Sequence, residues 1–453
     1  MPAWLVSFIL HVVLLLILAV IPLAQLTKGP LTLFWGNSAS VGLAEFELSG
    51  AETPVAAEAL ESELTSLQSQ TDLTEMLEME LPDLTTSLPE TGQGEPAMLL
   101  DDLPFGLAQG LTGRSGAMKQ ALLSKFGGNA ATEEAVELGL LWLSKQQKSN
   151  GSWSLVGPYS DGGAAENATA ATALALNAFL GAGYTHQTGK YKENVKLGLS
   201  FLVKRQDPEG YFPDPREPSR QQMYAQAIAS ITVAEAYGMT QDSSLRVPAE
   251  RAMRFAQWSQ SNLRGWRYFP REDADLSVTG WFLMALQTGR MAGLAVDEKV
   301  VNSVSEFLDS VSYEEDSRYA YDDFEPPTLS MTAEGLLCRI YLGWPRSHPA
   351  LLRAIEDDLI PNAPDERDRE YSVYYWYYAT QVMHHVGGAP WEKWNAGMRR
   401  VLPALQEKSG VEAGSWDPSR DAFSASGGRL YTTCLNLYCL EVYYRHLALY
   451  DIP

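Results

Sequence analysis

The chain is predicted to be all-α: a single (α/α)6 toroid of six helix pairs, preceded by a transmembrane helix and a disordered tether. Three observations predict this. Residues 134–446 return to one unit, an amphipathic helix, a turn and a more apolar helix, at a spacing of roughly 45–60 residues, the signature of a stacked or closed helical array. Four of the turns place an aromatic residue at or just after a glycine. Residues 4–26 form an apolar run, and residues 29–113 lack the density of apolar residues that a core needs. The expected domains are therefore a membrane anchor over 1–28, an acidic tether over 29–113 and the toroid over 114–453.

Composition limits the function classes. With 453 residues and 45% hydrophobic content the chain can bury a large core, and its net charge of −22 argues against nucleic acid, whose phosphates it has little charge to neutralise. The acidity is uneven, because no Lys or Arg occurs between Lys28 and Arg114. Cys338, Cys434 and Cys439 lie in apolar helical segments without C-x-x-C spacing, so buried free thiols are expected, with no disulfide framework or zinc knuckle.

The first element is Trp4–Leu26, apolar apart from Ser7, His11 and Gln25. At about 1.5 Å per residue it is long enough for a hydrocarbon core about 30 Å thick. A cleaved signal peptide fits less well, since no basic residue precedes the run and no sharp A-x-A site follows it. The expectation is a single-pass membrane protein with an extracytoplasmic toroid, because the tether lacks the basic residues that hold a segment inside. The tether reads as a solvated spacer. Within it, Met98–Gly110 gathers Met98, Leu99, Leu100, Leu103 and Phe105 beside Asp101 and Asp102, a candidate short binding motif.

The outer helices are expected at Glu134–Gln147, Tyr191–Arg205, Pro248–Gln260, Asp297–Val311, His348–Leu359 and Trp391–Gln406, each amphipathic with a wet face. The inner helices are expected at Thr169–Ala182, Met223–Tyr237, Ser277–Ala292, Leu329–Leu342, Val373–Val386 and Tyr431–Tyr444, apolar around most of their surface and therefore inside. Three turns join a glutamine to a glycine and an aromatic: Gln147 to Gly151 and Trp153, Gln206 to Gly210 and Tyr211-Phe212, and more loosely Gln260 to Gly265-Trp266. Gly414-Ser415-Trp416 repeats the first triplet. Glycine is expected to end the outer helix at positive φ, the aromatic to pack the crossing, and the glutamine to bond orphan helix carbonyls or a neighbouring turn.

Such Q-x-x-x-G-x-W turns resemble the repeats of the squalene cyclase and protein prenyltransferase β-subunit superfamily, whose members build these toroids. Thr185-His186-Gln187-Thr188-Gly189-Lys190-Tyr191, and Gly265-Trp266-Arg267-Tyr268 followed by Val278-Thr279-Gly280-Trp281, are similar to membrane-anchored repeat proteins of planctomycetes. The resemblance implies two chemistries to look for. Cyclases protonate an alkene with the middle Asp of D-x-D-D-T. Here Asp273-Ala274-Asp275-Leu276-Ser277 matches Asp273 and Asp275, while Leu276 replaces the third Asp. Paired carboxylates can keep one proton in place; equally, Asp275 can cap the following helix, with Asp273 in a solvated turn. Prenyltransferases hold zinc through Asp, Cys and His with D-x-C spacing, which is absent; Asp322 or Asp323 with Cys434 and His384 is a set without supporting spacing. No metal and no cofactor are expected.

The remaining candidates are a ligand-binding lining: Trp281, Tyr374, Tyr378, Tyr431, Glu334 and Arg267, suited to an apolar, isoprenoid or peptide ligand or to plain core packing. Glu166, Glu235 and Arg429 are further polar groups in or beside inner helices, able to pair as buried ions. Asn150 and Asn167 lie in glycosylation-like triplets. The expected function is a membrane-anchored binding domain of unassigned ligand, non-catalytic. The alternative is a terpenoid-cyclase-like enzyme with class II protonation by Asp275, with Asp273 beside it.

Overall fold

The computed structural model describes residues 111, 113–368 and 370–446. The Trp4–Leu26 run, the Met98–Gly110 motif and the acidic tether up to residue 110 lie outside the described residues, whereas Leu111, expected in the tether, is buried against Gly238. No helix among the described residues is long and apolar enough to cross a membrane.

The helices, in chain order, are α1 Gly116–Phe126, α2 Ala130–Gln146, α3 Ala168–Gly181, α4 Lys192–Arg205, α5 Ser219–Thr240, α6 Ser243–Trp258, α7 Leu276–Met291 and α8 Glu298–Ser310. A short antiparallel hairpin, β1 Ser312–Tyr313 and β2 Arg318–Tyr319, follows α8. Then come α9 Leu329–Tyr341, α10 Pro349–Ala354 with a π-turn over Ile355–Leu359, α11 Val373–Val386, α12 Gly388–Leu405, α13 Ser424–Leu440 and α14 Val442–Arg445. The helices α3, α5, α7, α9, α11 and α13 each pack on the next, and α13 packs back on α3. That contact closes an inner ring. The last outer helix, α12, likewise packs on the first, α2.

The inner helices stand inside because they have no polar stripe. Every residue of α3 from Thr169 to Gly181 is buried, five of them alanines, which lets neighbouring backbones approach. All of α11 is buried as well. Side chains capping the inner helices recur at equivalent places: Asn167, Asp275, Thr328 and Ser372 accept from the amides of Ala170, Val278, Met331 and Tyr375. Asn167 is fully buried in this role, out of reach of glycosylation in the folded chain.

The turns act between repeats. Each motif glutamine donates from Nε2 to a carbonyl near the start of the next outer helix: Gln147 to Asn194 O at 2.9 Å, Gln206 to Pro248 O at 2.9 Å, and Gln260 to Val300 O at 3.1 Å. Gln406 does the same for Ala135 O of α2 at 2.8 Å and so locks the ring shut. Gln147, Gln260 and Gln406 also donate to a carbonyl of their own turn. The aromatic closes the other side. The indoles of Trp153, Trp266 and Trp416 donate to Leu143 O, Ala256 O and Leu402 O. Their backbone amides donate to Thr172, Thr279 and Thr433 on the inner helix.

The glycines correct one expectation. They do not end the outer helices; the glutamine itself is the C-cap in extended conformation after α2, α4 and α12. Gly151, Gly210 and Gly414 have positive φ four to eight residues later and lie against the neighbouring outer helix. A Cβ there would sit 2.3, 2.2 and 2.2 Å from Leu197 O, Arg251 O and Leu138 O, so only glycine fits. In the looser third turn the extra residue shifts the positive φ to Arg264. Two further departures are physical. The helix expected from Pro248 starts at Ser243 because Asp242 caps Ser244 N at 2.8 Å, leaving Pro248 inside. The inner helix expected from Tyr431 is spliced to Ser424 across Gly428 (φ 62, ψ −167), where the chain bridges Gly162 of the first repeat.

Helix α1 was not among the expected elements. It and the residues before it cover the face where the inner helices end. Arg114 pairs with Glu235 of α5 and donates to Leu180 O and Arg445 O, both at 3.1 Å. Arg445 in turn pairs with Glu235 and Glu441 at 3.1 Å each. All four groups are buried. Burial drives the Glu441 carboxyl up to about 8.

Two outcomes follow from these contacts. Gln406→Ala removes two buried hydrogen bonds, to Ala135 O and Gly414 O, and is expected to cost about 1–3 kcal/mol of stability in urea unfolding. Glu235→Gln leaves two buried guanidiniums under-compensated and is expected to cost about 3–5 kcal/mol in the same measurement.

Candidate functional site

Two faces of the toroid differ. On one, hereafter the mouth, the inner helices begin and the outer-to-inner turns gather; on the other the inner helices end against α1 and α14. The sequence candidates converge at the mouth, in two linked clusters.

The upper cluster is built on Arg267, just past the third turn. Its guanidinium reaches Asp273 at 2.8 Å, Asp322 at 3.3 Å and Asp275 at 3.4 Å. Asp275 is fully buried. Its Oδ1 accepts from the Val278 amide and the Ser277 hydroxyl, both at 2.8 Å, which makes it the cap of α7. Its Oδ2 accepts from the Tyr321 hydroxyl at 2.9 Å. Burial raises this carboxyl above the ordinary range, against the pull of the four donors. Asp273 is half exposed and bound to Arg267 and to the Ala274 amide, not to Asp275. Around them, Tyr268 and Tyr321 share a hydroxyl–hydroxyl bond, the Tyr224 hydroxyl bonds Ser277, and Arg267 lies 5.4 and 5.3 Å from the Tyr268 and Tyr321 rings.

The lower cluster lies one turn further in. Glu334 of α9 is fully buried and has no ion-pair partner among the described residues. Its Oε2 accepts from the Tyr374 hydroxyl at 2.9 Å, and its other oxygen faces Gly280, where a Cβ would lie 2.1 Å away. Gly280 is thus the small residue that admits the carboxyl between α7 and α9. Burial lifts the Glu334 carboxyl well above its usual range, which favours the protonated form. Tyr374 also donates to Ser277 O at 3.4 Å, which joins the two clusters. The Tyr374 and Tyr378 rings meet at 4.9 Å, Tyr378 and Trp281 at 6.2 Å, and Trp281 stacks on Tyr377 at 5.5 Å. Tyr431, half-buried on α13, has its ring over Gly427 and lies within electrostatic reach of Glu334 and Tyr374.

The structure therefore brings Asp275, Asp273 and Arg267 together, and Glu334, Tyr374, Tyr378 and Trp281 together beneath them. It does not unite the candidate zinc set. Asp322 is bound to Arg267 at the mouth, Cys434 lies within α13, and His384 is near the opposite end of α11. The cysteines are buried free thiols. Glu235 and Arg429 are held as buried ions, Arg429 by Asp161 at 2.7 Å, while Glu166 is half exposed and bonds the Ser154 hydroxyl and the Leu155 amide.

Tyr224, Tyr268 and Tyr321 belong to the site and were not among the candidates. A signal for two of them was present: Trp266-Arg267-Tyr268 and Tyr319-Ala320-Tyr321 are equivalent stretches, with Trp266 N and Tyr319 N both bound to an inner-helix threonine, Thr279 and Thr332. Position two after the packing aromatic thus points to the mouth in successive repeats. Apolar side chains stand exposed around the same rim: Phe269, Phe324, Leu329 and Phe423.

No family model matches the chain, and no curated protein matches it. Solved structures similar to it include the alpha-1,6-mannanase from Salegentibacter sp. HEL1_6, at 11% identity and TM-score 0.48, covering 69% of this chain and 98% of that one. A variant of the type II terpene cyclase MstE from Scytonema, in complex with geranylgeranyl dihydroxybenzoate, is 12% identical with TM-score 0.46, covering 70% and 98%. An alpha-amylase from Clostridium perfringens is 11% identical with TM-score 0.46, covering 68% and 97%.

The raised carboxyl of Glu334 has a pH signature. A carboxyl whose folded pKa is raised contributes stability below its unfolded value, about 4.5, and loses that contribution as pH rises towards the folded value. Glu334→Gln keeps an acceptor for Tyr374 without the ionisation. It is expected to match the wild type near pH 4 and to become the more stable of the two by pH 8, read from urea unfolding at both pH values.

Proposed function

We propose that this protein is a binding toroid of the squalene cyclase and prenyltransferase β-subunit repeat superfamily, held at a membrane by Trp4–Leu26, with the toroid outside the cytoplasm. Its ligand is apolar, of isoprenoid or peptide character, and is taken at the mouth. The glutamine–glycine–aromatic turns support the superfamily reading, and the apolar length of Trp4–Leu26 supports the anchor.

One observation carries the binding reading: exposed Phe269, Phe324, Leu329 and Phe423 rim a mouth whose floor is dry and aromatic. Arg267 and the Tyr268–Tyr321 pair offer a polar handle at its edge. The non-catalytic reading is supported by the state of Asp275. Both its oxygens are engaged, and Arg267 favours its ionised form, so it holds the helix and the arginine rather than a transferable proton.

A second reading is favoured by the burial of the same residue. A terpenoid-cyclase-like enzyme of class II type would use Asp275, its carboxyl raised by burial, to protonate an alkene beside the tyrosine rings. Titration of the full chain with a panel of isoprenoids, lipids and apolar peptides, with mass spectrometry for products, separates the two. The binding reading expects saturable binding without product, kept in Asp275→Asn and weakened at least about tenfold in the Phe324→Ser, Phe423→Ser double variant. Cyclised product that disappears in Asp275→Asn would establish the enzyme instead.

A further inference from the structure

Helix α6 carries an outward stripe that no described element covers. Val247, Arg251, Arg254 and Trp258 recur at spacings of four, three and four residues, so they share one face of the helix. Trp258 is 56% exposed, Val247 and Arg254 are exposed, and Arg251 is half-exposed. Glu250, the one acid of the helix, is taken by Arg246 at 2.9 Å. Arg251 and Arg254 make no ion pair among the described residues. A third cation, Arg271, lies 5.7 Å over the Trp258 ring. In a chain of net charge −22, an apolar and basic stripe runs against the overall balance.

The chain enters the ring beside the foot of this stripe. Leu111 is buried against Gly238 of α5, which also meets Ala292 at the end of α7. Helix α6 packs on both α5 and α7, and its first residue, Ser243, follows Gly238 by five. Back from Leu111 the sequence runs Phe105, Leu103, Asp102, Asp101, Leu100. Up α6 the stripe runs Val247, Arg251, Arg254, Trp258. Each is a pair of charges between apolar groups, and the charges are opposite in sign. The lengths agree as well. Val247 to Trp258 rises about 16 Å along the helix, and Leu100 to Phe105 spans up to about 17 Å when extended. Asp101 can reach about 33 Å from Leu111, whereas Arg254 stands about 17 Å along α6 from Ser243.

We infer that Met98–Gly110 docks along this stripe, with Asp102 and Asp101 against Arg251 and Arg254, Phe105 on Val247 and Leu100 on Trp258. The apolar contacts cover the exposed indole, and the opposed charges fix the register. Docking moves the point at which the preceding chain leaves the ring from the foot of α6 to its mouth end, where Trp258 closes the helix. None of this depends on which ligand the mouth takes.

The test is chymotryptic digestion of the purified full chain in detergent, with each cut located and timed by mass spectrometry. Cleavage after Phe105 is expected to be at least about fivefold slower in the wild type than in Arg251→Glu, Arg254→Glu, with cleavage after Leu84 equal in both and the melting curve unchanged. Asp101→Lys, Asp102→Lys is expected to lose the same protection. All four substitutions together are expected to restore it, which a damaged helix would not do. Equal rates after Phe105 in the wild type and the arginine variant overturn the proposal. Protection that grows with protein concentration would place the segment on a second copy and overturn it. An unprotected segment, with sedimentation on phosphatidylglycerol vesicles that Arg251→Glu, Arg254→Glu abolishes, would assign the stripe to a lipid surface and overturn it as well.

Discussion

One side-chain amide per motif turn holds this ring together. A glutamine Nε2 has two hydrogens, and in the turns at Gln147, Gln260 and Gln406 one goes to the residue's own turn and one to the next outer helix. The bond therefore sets both the turn and the spacing between repeats, and the glycine that lies flat against the neighbouring helix follows from the same close approach. Where the chain departs from the motif, the geometry is rebuilt by other means. After α8 the crossing is a hairpin, and Arg318 of β2 grips Asp358 of the π-turn through two bonds of 2.9 and 3.0 Å.

Closing six pairs into a ring forces the inner helices to meet apolar neighbours on nearly every side, and polar groups placed there must be paired or neutral. The molecule uses both solutions. At the end covered by α1, Arg114, Glu235 and Arg445 are interlocked ions, and the Glu441 carboxyl, raised by burial to about 8, bonds Arg445. Near the mouth, burial favours the protonated form of Glu334, which is bonded by the Tyr374 hydroxyl. Asp275 is intermediate, dry but surrounded by donors, and its role as cap is shared with Asn167, Thr328 and Ser372 at equivalent places. The repeat explains why an acid sits there at all: the position demands a short side-chain acceptor.

The two faces are consequently unlike. The mouth has exposed aromatic rings above a buried floor, whereas the other end is closed by α1 over the buried Arg114, Glu235, Arg445 and Glu441.

How much of this was legible follows from what periodicity can carry. Helix type and inner or outer rank were readable from the apolar residues alone, because an all-round apolar helix such as α3 has one place to go. The glutamine turns were readable too, although the direction of their bonds was not, since it depends on a helix some 40 or more residues away and, for Gln406, on α2 at the far end of the sequence. Helix α1 was missed because Gly116–Phe126 has almost no amphipathic contrast; it is fixed by Arg114, whose partners are 66 to 331 residues distant. At the site, Asp275, Arg267, Glu334 and Tyr374 were identifiable as polar or aromatic residues in or beside inner helices. That Asp275 meets a cation and Glu334, among the described residues, does not was decided only by the tertiary structure: the turn before α7 folds Arg267 back onto Asp275, while Glu334 is admitted between α7 and α9 at Gly280. The sequence by itself determined the repeat, the helices and the crossings, which local propensity and spacing encode. Closure, the charge state of each buried acid and the opposed character of the two faces arise from contacts between distant repeats, and only the folded ring sets those.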